Sequence, residues 1–117
     1  MHYSGGCHCG RIAFEFDSDA PVAEVIECNC SLCAKRGHLM AFVPRDKFVL
    51  KTDEKNLSTY TFNTHRIRHH FCAQCGCGPY GEAKAPNGVA MASINMRCVE
   101  GFEPGEVKIK KFDGRSR

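Results

Sequence analysis

Three cysteines lie within six residues in the first third of the chain. Cys28, Cys30 and Cys33 form a Cys-x-Cys step followed by a Cys-x-x-Cys step. On extended backbone, side chains two residues apart point to the same face, and a following turn can bring the third thiol to the same point. Three thiolates at one point are ligands for zinc, with Zn–S bonds of about 2.3 Å. Because no fourth ligand follows closely, the pattern fits either an open catalytic site or a structural site completed from elsewhere in the chain.

A second set of thiols comes from two distant pairs. Cys72 and Cys75 form a Cys-x-x-Cys turn followed by Gly76, and glycine tolerates the left-handed backbone that such turns often need. Cys7 and Cys9 are the free pair that can complete a closed four-cysteine zinc site. Such a site joins the first strand to a distant turn, and we expect it to stabilise the fold because it closes a long loop.

This pairing leaves the triplet without an obvious fourth partner and therefore favours the open site. Cys77 and Cys98 remain. Cys98 could still supply the missing ligand. A lone cysteine is more often a small buried apolar residue, and this is also the interpretation of Cys77.

The composition is typical of an ordinary globular protein. The length of 117 residues predicts a single domain over residues 1–117, with 43% apolar and 25% charged residues. Nine cysteines clustered at ligand spacing indicate metal binding rather than disulfides. The formal charge of +3 falls to near zero once the ligating thiolates and two zinc ions are counted, so we expect no nucleic-acid partner. No signal peptide and no apolar run of about 20 residues is evident, which predicts no membrane partner and a cytoplasmic location where thiols stay reduced.

The apolar pattern predicts an all-β fold of short antiparallel strands. Residues 11–16 alternate, with Ile12, Phe14 and Phe16 on one face. Residues 31–36 can form one helical turn that ends at Gly37. The other predicted strands cover residues 22–27, 39–43 (buried), 48–50, 57–62, 89–94 and 107–112, the last a one-faced edge strand that carries lysines.

Four motifs together resemble the glutathione-dependent formaldehyde-activating enzyme family, which includes the centromere protein V relatives. They are Gly-Gly-Cys-His-Cys-Gly at 5–10, Cys-Asn-Cys-Ser-Leu-Cys at 28–33, Phe-Cys-Ala-Gln-Cys-Gly at 71–76 and Ile-Asn-Met-Arg-Cys at 94–98. The resemblance implies a β-tent fold stapled by zinc. It also implies two zinc ions, a structural one held by Cys7, Cys9, Cys72 and Cys75 and a catalytic one held by Cys28, Cys30 and Cys33. The named reaction of the family joins glutathione and formaldehyde into S-hydroxymethylglutathione, and it is classed with the carbon–sulfur lyases.

An open zinc can bind a substrate thiol and lower its pKa, which generates the reactive thiolate. The thiolate could then attack the carbonyl carbon of a small aldehyde. Glutathione is anionic, so the cleft should hold cations, and the candidates are Lys35, Arg36 and Arg97. Lys35 in particular can also be an ordinary solvated surface residue.

Other polar residues near the motifs have weaker candidate roles. His38 and His70 could orient groups or transfer protons, although a single histidine is more often a packing or surface residue. Asn29 and Ser31 could donate hydrogen bonds to the triplet sulfurs. Two alternatives to an enzyme stay open, namely a zinc-binding module that holds a peptide or protein partner and a thiol redox sensor that uses the triplet.

Overall fold

Short extended segments dominate the chain, as the alternating apolar pattern requires. The computed structural model describes residues 1–116, and within this range one helix, α1 (Cys33–Arg36), is a single turn that ends at Gly37. No helix in the described range is long and apolar enough to cross a membrane. The strands are β1 (His2–Gly6), β2 (Ala13–Asp17), β3 (Glu24–Cys28), β4 (Met40–Pro44), β5 (Phe48–Leu50), β6 (Leu57–Tyr60), β7 (Arg68–Cys72), β8 (Tyr80–Lys84), β9 (Ala90–Asn95) and β10 (Lys108–Phe112).

The strands form two sheets. One sheet has the order β1-β2-β5, and the other has the order β10-β3-β4-β9-β8-β7-β6. All neighbours are antiparallel except β10, which pairs parallel with β3. Short 3₁₀ turns lie between strands at Arg45–Lys47, Glu54–Asn56, Met96–Cys98 and Pro104–Glu106. This architecture confirms the all-β prediction.

The core joins the apolar faces of both sheets. Phe14 and Phe16 of β2 and Phe48 of β5 lie in one buried cluster with residues of the larger sheet, among them Tyr80 and Ile94. The rings of Phe48 and Tyr80 have their centroids 4.3 Å apart. The alternation predicted for residues 11–16 is confirmed, because every second side chain of this segment is buried.

The sequence does not predict β1 or β8, because both contain residues that are uncommon in strands. β1 ends with Gly5 and Gly6, and β8 contains Gly81 and charged residues. At Gly5 the absence of a side chain is a packing requirement, since a Cβ there would lie 2.8 Å from the Phe14 ring and 2.9 Å from the Cα of Val99. Tertiary contacts therefore select glycine in a strand that local propensity disfavours.

Two strand predictions need correction in their burial. The segment at 39–43 is not fully buried: Ala41 and Val43 enter the core, but Phe42 between them is 48% exposed because side chains alternate along β4. β10 lies at the sheet edge as predicted, yet all of its residues are exposed rather than one face being buried. The apolar residue of this segment that packs on the core is Val107, just before the strand.

Candidate metal centres and the groove beside them

The four cysteines of the two distant pairs meet at one point. The Sγ atoms of Cys7, Cys9, Cys72 and Cys75 all lie within 4.8 Å of one another, and the Sγ of Cys9 is 3.6 Å from that of Cys7 and 3.5 Å from that of Cys72. Cys72 ends β7, whereas the other three sulfurs belong to the segments after β1 and β7. The turn after Cys75 is closed by Gly76 with a φ of 81°, which a residue with a side chain rarely adopts.

Backbone amides point at these sulfurs. The N–H of Ile12 donates to Cys7 Sγ at 3.3 Å, and the N–H of Cys75 donates to Cys72 Sγ at 3.4 Å. The backbone N–H of Cys77, followed by that of Cys9, lowers the pKa of Cys75 to about 5. Donors of this kind stabilise thiolate, the form of sulfur that binds a metal.

The triplet also converges. The Sγ atoms of Cys28, Cys30 and Cys33 lie within 4.8 Å of one another. Cys28 ends β3 and Cys33 begins α1, so a strand end and a helix start hold the outer two sulfurs. The N–H of Cys30 donates to Cys28 Sγ, and the N–H of Cys33 donates to Cys30 Sγ, each at 3.4 Å.

The triplet resists full ionisation in the absence of a cation. Burial, together with the thiols of Cys30 and Cys28, raises the pKa of Cys33 to about 12. Burial is the largest influence on Cys30 and opposes its ionisation, but the hydrogen bonds from the N–H of Cys33, from the thiols of Cys33 and Cys28 and from the N–H of Leu32 together outweigh burial, so the pKa of Cys30 is lowered. Three thiolates this close repel one another unless a positive ion lies among them. Tetrahedral zinc with bonds of about 2.3 Å separates its sulfurs by roughly 3.8 Å, so each of the two groups could hold a metal ion.

Cys77 and Cys98 lie outside both groups. Cys98 accepts a hydrogen bond from the side-chain amide of Asn95 at 3.6 Å, and burial raises its pKa to about 11. Within residues 1–116, no Cys, His, Asp or Glu joins the three triplet sulfurs in a group of this size. The possibility that Cys98 completes the triplet therefore has no support in the geometry.

An open groove of about 520 Å³ runs beside the triplet, and all three of its cysteines line it. Most of the remaining lining side chains are apolar, and the larger ones are Ile26, Met40, Phe42, Ile67, Met91 and Phe112. The polar lining residues besides cysteine are Asn63, His69 and Ser93. Among the residues that the structure describes, no Lys, Arg, Asp or Glu lines this groove.

A small cavity of about 20 Å³ adjoins the groove and shares Cys33, Met40, His69 and Ser93 with it. Burial lowers the pKa of Arg36 and that of His38, the latter to about 4. The Nε2 atom of His69 is buried and has no hydrogen-bond partner among residues 1–116. Burial, aided by Arg36, also lowers the pKa of His69, so its ring is neutral at neutral pH.

The three cations predicted for glutathione are dispersed. Lys35 is exposed on α1 and does not line the groove, and Arg36 lines the small cavity instead. Arg97 is exposed beside Cys98 and Cys7, in a different cleft near the four-cysteine group. The reason is local geometry, since α1 is a single turn and Arg97 belongs to the 3₁₀ turn after β9.

Asn29 has a different role from the one its position in the motif suggests. Its side-chain amide donates to Asp113 Oδ1 at 3.1 Å and accepts from the N–H of Arg115 at 2.9 Å, while its backbone N–H donates to the carbonyl of Phe112. These bonds hold the segment after β10 against the triplet. A Cβ on Gly114 would lie 2.6 Å from Cys28 Sγ, which shows how closely this segment approaches the sulfurs.

His70 is a structural residue in this arrangement. Its Nε2 lies 2.9 Å from Glu82 Oε1 and its Nδ1 lies 2.8 Å from the hydroxyl of Thr59, so both ring nitrogens have partners. Glu82 also accepts from Arg45 at 3.1 Å and from Arg68 at 3.0 Å. This network joins β6, β7 and β8, and none of its residues lines the groove, although Arg68 and Glu82 line a neighbouring cleft that shares Ile67, Ala83 and Met91 with it.

Sequence reasoning missed His69, Phe112 and Gly114 as parts of the site. Phe112 and Gly114 lie far from the cysteine motifs in the sequence, and His69 lies three residues before Cys72 but lines the groove of the other cysteine group. No sequence signal marked them, because the pattern of residues 107–112 predicts one buried face, whereas the structure leaves Phe112 40% exposed beside the groove.

Residues 2–110 match the model of the family described as glutathione-dependent formaldehyde-activating enzyme. The chain belongs to this family. A crystal structure of a Rhodobacter sphaeroides protein, a Northeast Structural Genomics target, is similar with a TM-score of 0.78 and 28% sequence identity, over 92% of this chain and 99% of that one. Family membership confirms the resemblance given by the cysteine motifs. Phe112 and Gly114 lie beyond the matched range, so one wall of the groove is not part of that match.

Proposed function

We propose that this member of the family is a zinc-dependent enzyme of the carbon–sulfur lyase type that forms and breaks thiol adducts of aldehydes. The observation that carries the proposal is the position of the triplet: three converging thiols at an open groove, with no fourth side-chain ligand in the described chain. Three protein ligands and an accessible fourth position characterise catalytic zinc sites. The four-cysteine group is closed by its own ligands, and we assign to it a structural zinc.

The reaction joins a thiol and an aldehyde into a hemithioacetal. The S–C bond forms as the carbonyl π bond breaks, and the thiol proton ends on the carbonyl oxygen, so no oxidant or reductant is needed. Zinc, when bound, supplies a Lewis acid that favours the thiolate form of the substrate. The family description names glutathione and formaldehyde, which makes them the first substrate pair to test.

The residues of the chain have distinct parts in this scheme. Cys28, Cys30 and Cys33 would hold the ion, and the backbone N–H groups directed at the first two sulfurs fix their orientation. His69 lines the groove together with Cys33, and its ring, kept neutral because burial lowers its pKa, can accept a proton. We assign to His69 the transfer of the proton between sulfur and carbonyl oxygen.

The test compares equilibration rates of glutathione with formaldehyde, measured by NMR exchange spectroscopy at fixed thiol and several protein concentrations. The uncatalysed reaction gives the intercept, and catalysis gives a slope with protein concentration. We expect a slope for wild type and for Cys77→Ser, a matched control because Cys77 lies outside both groups, and none for Cys30→Ser. Equal slopes for Cys30→Ser and wild type would refute a role for the triplet. No slope for wild type with this pair, nor with hexanethiol and formaldehyde or 2-mercaptoethanol and hexanal, would favour the non-catalytic binding module.

A further inference from the structure

The groove beside the triplet is built for an apolar guest. Its apolar side chains come from β3, β4, β8, β9 and β10 and from the residue just before β7, so the apolar lining is not one local run of sequence. Within residues 1–116, the lining contains no charged side chain apart from the cysteine thiols. Ligand sites are typically apolar surfaces with a few placed polar groups, and here the polar groups are the three thiols and the side chains of Asn63, His69 and Ser93.

Three large apolar side chains are left accessible around this groove. Phe42 is 48% exposed, Ile67 47% and Phe112 40%. They belong to three separate segments of the chain and meet at the same groove. A contiguous exposed apolar surface is costly in water and marks a binding site more often than a scatter of single residues does.

Glutathione is a poor match for this lining. It carries two carboxylates and an ammonium group, and burying a charge without a partner is strongly unfavourable. None of the cations predicted to bind it lines the groove. Arg36 lines the small cavity that adjoins the groove, and Arg66, Arg68 and Lys84 line another neighbouring cleft, which shares Ile67, Ala83 and Met91 with it. Formaldehyde is also a poor match, because it has no substituent that could occupy about 520 Å³ of apolar space.

We infer that the physiological adduct carries an apolar alkyl or aryl substituent, which lies in the groove against Phe42, Ile67 and Phe112 while the sulfur lies at the triplet. The inference rests on the proposed function for the position of the reacting sulfur. The chemical step is unchanged: the S–C bond forms and the thiol proton passes to the carbonyl oxygen. Only the group attached to sulfur or to the carbonyl carbon is specified.

The first experiment measures binding rather than turnover. Straight-chain thiols from ethanethiol to hexanethiol, and glutathione, are titrated into the zinc-loaded protein by calorimetry. Each added methylene that enters the groove should tighten binding by about fourfold. We expect hexanethiol to bind more tightly than glutathione. An affinity that does not change with chain length, or tighter binding of glutathione, would overturn the inference.

A matched pair of variants locates the apolar contact. Phe42→Gln places a polar group on the groove wall and should weaken hexanethiol binding by roughly tenfold while leaving ethanethiol unchanged. Val49→Gln is the control, because Val49 is similarly exposed at 52% but lies on β5 in the other sheet. Equal hexanethiol affinity in the two variants would overturn the placement in the groove.

The second experiment separates this inference from the proposed function and identifies which half of the adduct is apolar. One arm varies the aldehyde from formaldehyde to hexanal with 2-mercaptoethanol fixed, and the other varies the thiol with formaldehyde fixed. Rates that rise with chain length in either arm support the inference and name the apolar partner. Catalysis with no chain-length dependence in either arm overturns the inference and leaves the proposed function intact. Chain-length-dependent binding without catalysis of any pair refutes the enzyme but supports the apolar guest.

Discussion

Gly114 offers a direct test of how the C-terminal segment supports the triplet. A Cβ at this position would lie 2.6 Å from Cys28 Sγ and 3.2 Å from Cys30 Cβ. Ordinary contacts between non-bonded heavy atoms are about 3.5–4.0 Å, so Gly114→Ala must displace the sulfur or the segment by roughly 1 Å. A metal site tolerates about 0.2 Å in ligand distance, so a displaced Cys28 no longer binds well.

The expected result is a selective loss at one of the two proposed metal centres. Changes to residues that support metal ligands cost about 10–100-fold in affinity, and we expect Gly114→Ala to weaken metal binding at the triplet by that factor. The four-cysteine centre should be unaffected, because no residue of that group appears among the nearest neighbours of Gly114. Competition with a chromophoric zinc chelator reports the two affinities in one titration.

Gly105→Ala is the matched control, because a Cβ there would have no atom within 4 Å. Both substitutions replace a glycine with alanine and therefore lower the backbone entropy of the unfolded chain by the same amount, so this effect on the free energy of unfolding cancels when the two variants are compared. Equal affinities of the two variants at both metal centres would refute the argument, since the segment would then have moved away without disturbing Cys28. Equal weakening of both centres in Gly114→Ala would also refute it, because the effect would not be local.

Three further predictions concern stability and proton transfer. Cys72→Ser should lower the unfolding free energy by at least about 3 kcal/mol and release one zinc, measured by thermal melting and metal analysis, whereas Cys77→Ser should melt like wild type. Glu82→Gln should cost about 1–2 kcal/mol at pH 7. Three hydrogen-bond donors outweigh burial and hold the pKa of Glu82 below its usual range. The stability that the ionised Glu82 contributes is therefore lost as the pH falls below about 4. Denaturant titrations of variant and wild type should give the same unfolding free energy at such low pH. His69→Gln should reduce the adduct-forming rate at least tenfold without changing thiol affinity, whereas the exposed His2→Gln should leave both unchanged; equal rates would exclude His69 as the proton carrier.

The elements that the sequence predicts well are those governed by local alternation. The strand around Phe14 and Phe16, the single helical turn that ends at Gly37 and the edge position of β10 all follow from neighbours in the sequence. β1 and β8 could not be predicted in this way because their glycine and charged residues disfavour strands. Pairing with β2 in one case and with β7 and β9 in the other supplies the hydrogen bonds that fix them as strands.

The convergence of the sulfurs was largely determined by the sequence itself. Cys-x-Cys and Cys-x-x-Cys spacings bring thiols together through backbone geometry within a few residues. A Cys-x-Cys pair and a distant Cys-x-x-Cys pair can then be joined into a four-cysteine site in few ways. The tertiary structure decided what surrounds them. His69 and Phe112 reach the groove because strand register and sheet order bring them there, and Asn29 meets Asp113 across most of the chain length. Such contacts depend on which face each strand presents, a property of the assembled sheets that no local spacing encodes.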